Sequence, residues 1–234
     1  MNTQYPIARL IPAIGLAALL GMAPVAHAHE AGDLIVRAGG AWVYPNDSSG
    51  DVGGFPGNGV EVEDAFSAGL SVTYMLTDTF SIDLLGALPF THDIKATGPD
   101  LGALGRIAEA THLPPTLLAN VHIPLQTEKF QPYAGVGINY TFFFDESTSA
   151  SLEGALGESK IDLDDSIGPA FQVGADYLLT DKWLLNVAVW YIDIDTEATI
   201  NFKGDPNDPN DDGSTRVNVD IDPWVVMVGA GYRF

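Results

Sequence analysis

The chain contains no cysteine, which excludes the disulfide framework that staples many small exported domains. Cations are scarce as well: ten Lys and Arg stand against 31 Asp and Glu, a net charge of −21. Phosphate backbones are bound by basic surfaces, so nucleic acid is excluded as a partner. Beyond the first two dozen residues no stretch approaches 18 continuous apolar residues, the minimum for a helical membrane span. Stability must come from a packed core or from a sheet that closes on itself.

The amino terminus reads as an export signal. Met1 to Arg9 carries one positive charge, Leu10 to Ala23 is almost uninterruptedly apolar, and Ala26-His27-Ala28 is a small-x-small cleavage site. The apolar run is too short to span a bilayer, so residues 1–28 are expected to be a signal peptide removed before His29. Losing them takes one cation, Arg9, and leaves nine basic against 31 acidic residues, a net charge of −22. These acidic residues are bunched: seven fall between Asp145 and Asp165, and nine between Asp193 and Asp222.

Between the charged blocks the sequence alternates with period two. The last segment is the clearest: Trp224, Val226, Val228, Ala230, Tyr232 and Phe234 share one face, apolar throughout and aromatic at both ends. A transmembrane barrel strand needs about 9–11 residues, an apolar outer band and aromatic girdles. Seven more segments repeat the scheme: 34–44, 66–75, 80–90, 113–123, 130–144, the stretch around 167–177, and 183–192. The connections alternate too. Leu76 to Thr79, Leu125 to Lys129 and Leu179 to Lys182 are short, whereas roughly 45–65, 95–112, 145–165 and 203–216 are long and rich in Gly, Asp and Asn. Short periplasmic turns and long extracellular loops on an even number of strands predict an all-β fold, an eight-stranded antiparallel transmembrane barrel over residues 29–234. Within the third loop, Ser151 to Lys160 has some helical composition.

Parity assigns the inner wall. Arg37, Asp83, Asp176 and Arg233 point inward within about four residues of the periplasmic end and are expected to pair into a charged floor, because unpaired charges in a narrow lumen are costly. Farther up, the inward residues are Leu85, Ala87, Leu118, Trp190, Ile192, Val225 and Met227. Eight strands enclose space for packed side chains or one small ligand, so a wide aqueous pore is excluded. An apolar lumen means a barrel packed shut or one that holds an apolar guest.

Prolines mark one seam. Pro89 falls inside the third segment, and Pro114 and Pro115 at the extracellular start of the fourth, three positions with no backbone N–H to give to a ladder. A weak seam there is expected to offer a sideways exit into the bilayer, with the alternative that the prolines lie above the membrane where water satisfies their neighbours.

The runs His29-Glu30-Ala31-Gly32-Asp33, Pro89-Phe90-Thr91-His92, Leu113-Pro114-Pro115-Thr116-Leu117, Gly137-Ile138-Asn139-Tyr140-Thr141, Trp190-Tyr191-Ile192-Asp193-Ile194-Asp195-Thr196 and Asp222-Pro223-Trp224-Val225 resemble the outer membrane protein W family over essentially the whole mature chain. The resemblance implies the outer membrane of a Gram-negative bacterium, contact with its lipid and lipopolysaccharide, and passive movement of small hydrophobic molecules. It also implies a gate at Leu85 and Trp190; the terminal Phe234, for its part, resembles the signal by which the barrel-assembly machinery recognises its clients. Two departures stand out: Ser166-Ile167-Gly168-Pro169 replaces an expected Ser-Trp-Gly, and the fourth loop is unusually acidic.

Other chemistry is weaker. Asp205 to Asp212 offers hard oxygen ligands but lacks the Gly and terminal Glu of an EF-hand loop, and is read as a solvated loop. His92, His112 and His122 have no local metal spacing and are read as surface residues. No metal or cofactor is expected. A barrel enzyme acting on lipid would gather a serine, a histidine and a carboxylate on the outer face, where none align; an adhesive barrel bridged by cations through its acidic loops is the other alternative class.

Overall fold

The computed structural model describes residues 29–53, 55–125, 127, 129–203 and 213–234. Its strands, in chain order, are β1 (Leu34–Tyr44), β2 (Ser48–Ser49), β3 (Val60–Val62), β4 (Ala65–Met75), β5 (Phe80–Ala87), β6 (Phe90–Ala96), β7 (Arg106–Leu113) and β8 (Thr116–His122). There follow β9 (Phe130–Thr148), β10 (Glu158–Leu163), β11 (Ser166–Leu178), β12 (Trp183–Ile192), β13 (Asp195–Lys203), β14 (Gly213–Asp220) and β15 (Trp224–Arg233). One short helix, α1 (Ala150–Leu156), precedes β10. No helix among the described residues is long and apolar enough to cross a membrane.

Eight strands run in the order β11-β12-β15-β1-β4-β5-β8-β9, and a β9–β11 pairing joins the two ends. Every pairing is antiparallel. The sheet is a closed barrel, the form in which lipid-facing strands leave no unpaired edge. Alternation decides which way each side chain points. On β1, Ile35, Arg37, Ala41 and Val43 are buried while Leu34, Trp42 and Tyr44 are exposed. On β12, Leu184, Asn186, Ala188, Trp190 and Ile192 are buried and Trp183, Leu185 and Val187 exposed. The exposed apolar residues form a belt bounded by aromatic pairs, Trp42 with Phe66 and Tyr191 with Trp224 at one rim, and Trp183 with Tyr232 at the other. Such girdles mark the two membrane interfaces.

Threonines cap the short turns at the lower rim. Thr77 Oγ1 accepts from the Phe80 amide and Thr180 Oγ1 from the Trp183 amide, the hydroxyl turn chemistry that stops a strand cleanly.

The long connections are not plain loops. Above the upper girdle β9 continues and pairs with β7, which extends through β6 to β3, while β10, β13, β14 and β2 form a separate four-stranded sheet. Together they make a walled cup over the barrel. The expected third segment, 80–90, is two strands: β5 stops at Ala87, and β6 begins at Phe90 with reversed parity, so Phe90 is buried at 2% exposure and not on the lipid face. The expected fourth segment divides likewise, Leu113 ending β7 and Thr116 opening β8. Helix α1 begins at Ala150, where the Ser149 side chain accepts from the Leu152 amide, an ordinary N-cap.

Gly39 and Gly229 sit opposite each other where β1 closes on β15. A Cβ at Gly229 would lie 2.2 Å from the Ala38 carbonyl oxygen, and one at Gly39 2.2 Å from that of Val228. Backbone contact that close leaves a side chain nowhere to go. Gly229→Val should therefore destabilise the barrel by about 1–3 kcal/mol, seen as a lower midpoint for denaturant unfolding of the detergent-folded protein; an unchanged midpoint would mean that closure does not need the glycine.

Candidate functional site

The lumen is stratified. At its floor, Arg37 from β1 and Asp176 from β11 face each other at 1% and 0% exposure. Arg37 donates through Nε to Asp176 Oδ1 at 2.9 Å and through a second nitrogen to Oδ2, the two-pronged geometry that makes an arginine–carboxylate pair strong. His29 Nε2 reaches Asp176 Oδ2 at 2.9 Å, and Asn186 Nδ2 donates to Asp176 Oδ1 at 2.8 Å and to the Tyr133 hydroxyl at 2.9 Å. The guanidinium also lies 5.4 Å from the centre of the Tyr133 ring, within cation–π range. Thr73 accepts from Arg37 and donates to Asp83, tying the fourth wall in. Ser81 and His122 pair at 2.9 Å beside them, and His122 stacks edge-on against His29.

Three of the four residues expected in the floor thus meet there, Asp83 through a threonine. Arg233 does not join them: its Nη1 bonds Asp33 at 3.3 Å and its Nε the Asp181 carbonyl at 2.9 Å, near the rim. It is the next-to-last residue and the last of β15, paired with Ile35 at the lower end of the wall. His122, read from sequence as a surface residue, is buried, as are His92 and His112. His29 was not singled out at all; nothing in a lone histidine next to a cleavage site announces that it will fold into a lumen.

Above the floor lies a plug that is apolar on the β1, β5, β12 and β15 side, while Thr116, Asn139, Thr141 and Gln172 are buried on the β8, β9 and β11 side. Leu85, Leu118, Trp190, Ile192, Val225 and Met227 are all buried, Ala87 is half-buried, and Phe90 joins them. They leave a cavity of about 10 Å³, no more than one water needs. The Trp190 indole nitrogen has no hydrogen-bond partner among the described residues.

The proline seam runs along this cavity. Pairing between β5 and β8 ends at Leu85 with Thr116, and pairing between β6 and β7 resumes at Phe90 with His112. Between those points the backbone bonds away from the seam: the Leu88 amide to Ala68 on one side, the Pro115 carbonyl to Tyr140 on the other. Pro89 is therefore not inside a strand; it occupies the break between two. Ala87, Phe90 and Pro114 all border the cavity.

Further cavities lie in the cup. Just above the plug, Ile94, Ile107, Phe143, Ile200 and Val219 enclose about 30 Å³ together with His92 and His112. Over this opens a chamber of about 530 Å³, walled by Leu101, Leu104, Leu152, Leu156 and Phe202 among others. The two histidine rings stand edge to face, 4.9 Å between centres. Burial pushes both below the ordinary histidine range, His112 to about 3 with the neighbouring His92 opposing its charge as well. Sequence reading missed the cup because charge dominates its strands. The signal was there nonetheless: Ile194, Thr196, Ala198 and Ile200 alternate with Asp195, Glu197 and Thr199, the period-two pattern of a half-buried strand.

Of metal-ligating groups, the described residues contain one set of three, Asp193, Asp195 and Asp222, with ligand oxygens within 4.8 Å of one another. Burial first, then the adjacent carboxylates, raise the pKa of Asp195. The acidic run Asp205–Asp212 lies outside the described residues.

An apolar belt between aromatic girdles, a closed eight-stranded wall, short turns at one end and a tall cup at the other define an outer-membrane β-barrel. Within that class the chain belongs to the OmpW family, whose sequence model matches residues 30–234. Outer membrane protein W of Vibrio cholerae is 45% identical over 222 residues, 94% of this chain and 97% of that protein. The crystal structure of OprG from Pseudomonas aeruginosa superposes with a TM-score of 0.79 at 41% identity, covering 88% of this chain and 97% of that one. A more distant relative, the dibenzothiophene metabolism operon protein PahQ of Pseudomonas aeruginosa, is 26% identical over 180 residues, 76% of each chain.

Two expectations follow from these layers. Asp176→Ala strands a buried guanidinium, so it should cost about 3–5 kcal/mol of barrel stability, while Arg37→Met combined with Asp176→Leu should recover much of that loss; equal midpoints for the single variant and the wild type in urea would show the floor to be energetically idle. In the cup, His92 and His112 are held below 6.5, so the native state resists protons that the unfolded chain takes up. Their contribution is intact above about pH 6.5 and declines as pH falls toward 3. The protection factors of the Ile94 and Ile107 amides, with exchange rates corrected for the intrinsic slowing of exchange by acid, should accordingly fall on acidification, and fall further than in the His112→Leu variant.

Proposed function

We propose that this protein is a passive channel for small hydrophobic molecules across the outer membrane, with a sideways exit into the bilayer between β5 and β8. The observation that carries the reading is an apolar-lined cavity in the lumen standing on a charged, hydrogen-bonded floor. A solute in that lumen gains nothing by crossing Arg37, Asp83 and Asp176, whose hydrogen-bond network would have to open and be desolvated. Leu85, Ala87, Leu118, Trp190, Ile192, Val225 and Met227 are the lining, with Leu85 and Trp190 as the gate.

The interrupted pairing at Pro89, Pro114 and Pro115 supports the lateral route. Parting strands elsewhere would expose ladder groups to lipid at a cost of several kcal/mol each; at this seam fewer such bonds exist to break. The name of the relative PahQ is in keeping with apolar cargo, since dibenzothiophene is an apolar aromatic molecule.

Uptake of a small apolar fluorophore by cells carrying the protein in their outer membrane tests both parts. Trp190→Arg, which places a charge in the apolar plug, should reduce uptake at least tenfold with the barrel still heat-modifiable. Cysteines at Ala87 and Pro114 continue the register of Leu85 and Thr116, and the chain has no native cysteine to interfere. Oxidation of that pair should block uptake and reduction restore it. Full uptake in the oxidised form would sink the lateral route, and full uptake through Trp190→Arg would sink the channel.

A further inference from the structure

We propose that His92 and His112 form a binding position for the hydroxyl group of a neutral amphiphile, an alcohol or phenol whose apolar body fills the chamber above. This rests on the uptake role proposed above and narrows the cargo from hydrophobic molecules in general to those with one hydrogen-bond donor.

The two rings are 4% and 2% exposed, and the Nε2 of each has no hydrogen-bond partner among the described residues. A buried polar atom left without a partner costs free energy, so native structures rarely keep one that nothing uses. The tautomer of His92 is set by its partner. Its Nδ1 bonds the Glu63 carbonyl oxygen, which only accepts, so Nδ1 carries the hydrogen. In a neutral ring Nε2 then bears the lone pair, and whatever binds it must donate. A hydroxyl does so; an alkane does not.

The surroundings fix the rest of the ligand. Elsewhere the wall of this small cavity is apolar apart from Thr196, whose hydroxyl is already committed to the Asp164 carbonyl at 2.7 Å. About 30 Å³ at the histidines suits a small polar head. The 530 Å³ chamber shares Ile107 and Ile200 with it as common wall and suits the body. Carboxylates are disfavoured, because a neutral histidine pair offers an anion no charge and the chain carries 31 acidic residues against ten basic. A metal ion is disfavoured too: two imidazoles lack the third protein ligand that zinc sites supply, and the three-carboxylate set of the described residues contains neither.

The test uses the full chain in lipid nanodiscs with nitrogen-15 histidine and carbon-13 isoleucine methyl labels, titrated with 1-octanol and, separately, with n-octane. Both probes should move the methyl signals of Ile107 and Ile200. Only octanol should move the lone-pair Nε2 resonance of His92, and it should bind roughly three- to tenfold more tightly than octane. His92→Leu should erase that preference, and His112→Leu should weaken it, while octane binding persists in both. If octane moves the isoleucine methyls but octanol leaves Nε2 where it was, water alone serves the histidines and the inference is overturned while the channel stands. If neither probe moves any of these signals, both the inference and the channel reading fall.

Discussion

A strand in lipid cannot trade its backbone hydrogen bonds for water, and the rest of this molecule depends on how that constraint is met. The first and last barrel strands, β1 and β15, pair over ten positions from Ile35 with Arg233 to Tyr44 with Trp224. That pairing removes both free edges of an open sheet at once. It also fixes which residues enter the lumen, since a slip of one residue would turn every side chain of a strand to the other face. Arg37 would then face lipid and Trp42 the lumen. The facing glycines Gly39 and Gly229, with backbones too close for a Cβ, belong to the same closure.

Given the closed wall, the lumen divides by chemistry. Its floor is a network in which Asp176 accepts from Arg37, His29 and Asn186 together, so the cost of burying the Arg37–Asp176 pair is offset by hydrogen bonds to both carboxylate oxygens, while Asp83 Oδ2 and Asn186 Oδ1 have no partner among the described residues. The plug above the floor is apolar on the β1, β5, β12 and β15 side and almost without free volume. A barrel built only as an anchor could carry the floor's polar packing all the way up. Here the polar residues above the floor, Thr116, Asn139, Thr141 and Gln172, keep to the β8, β9 and β11 side, the ladder of one wall is interrupted beside an apolar-lined cavity, and a wider chamber lies above. Floor, break and chamber are three consequences of where polar residues and prolines fall along eight strands.

The cup shows how far a protein can hide a hydrophobic interior behind charge. Its strands turn Asp and Glu outward and Ile, Val and Ala inward, so a tall extracellular structure presents charge to water while its inner face stays largely apolar. The histidine pair stands in the otherwise mostly apolar wall of its lower cavity. His92 and His112 are twenty residues apart, and they meet because β6 and β7 run antiparallel with Phe90 opposite His112 and His92 opposite Ala110.

Eight membrane strands, their inward and outward faces, the short lower turns and the aromatic belt were legible in the sequence, because a strand half in lipid must alternate with period two and nothing else in the chain competes with that signal. The inward placement of Arg37, Asp83, Asp176 and the apolar lining followed from the same parity. Parity could not choose partners: Asp176 bonds Arg37, His29 and Asn186 from three different places in the chain, and Arg233 turns to Asp33 at the rim, because the barrel's curvature decides which inward side chains converge. It failed outright at Pro89, where a ring with no N–H ends one strand and lets the next begin on the opposite face, carrying Phe90 from lipid to lumen. Nor could it find the cup, where acidic residues on the solvent side mask an alternation that only a second sheet, folded over the barrel mouth, turns into an interior.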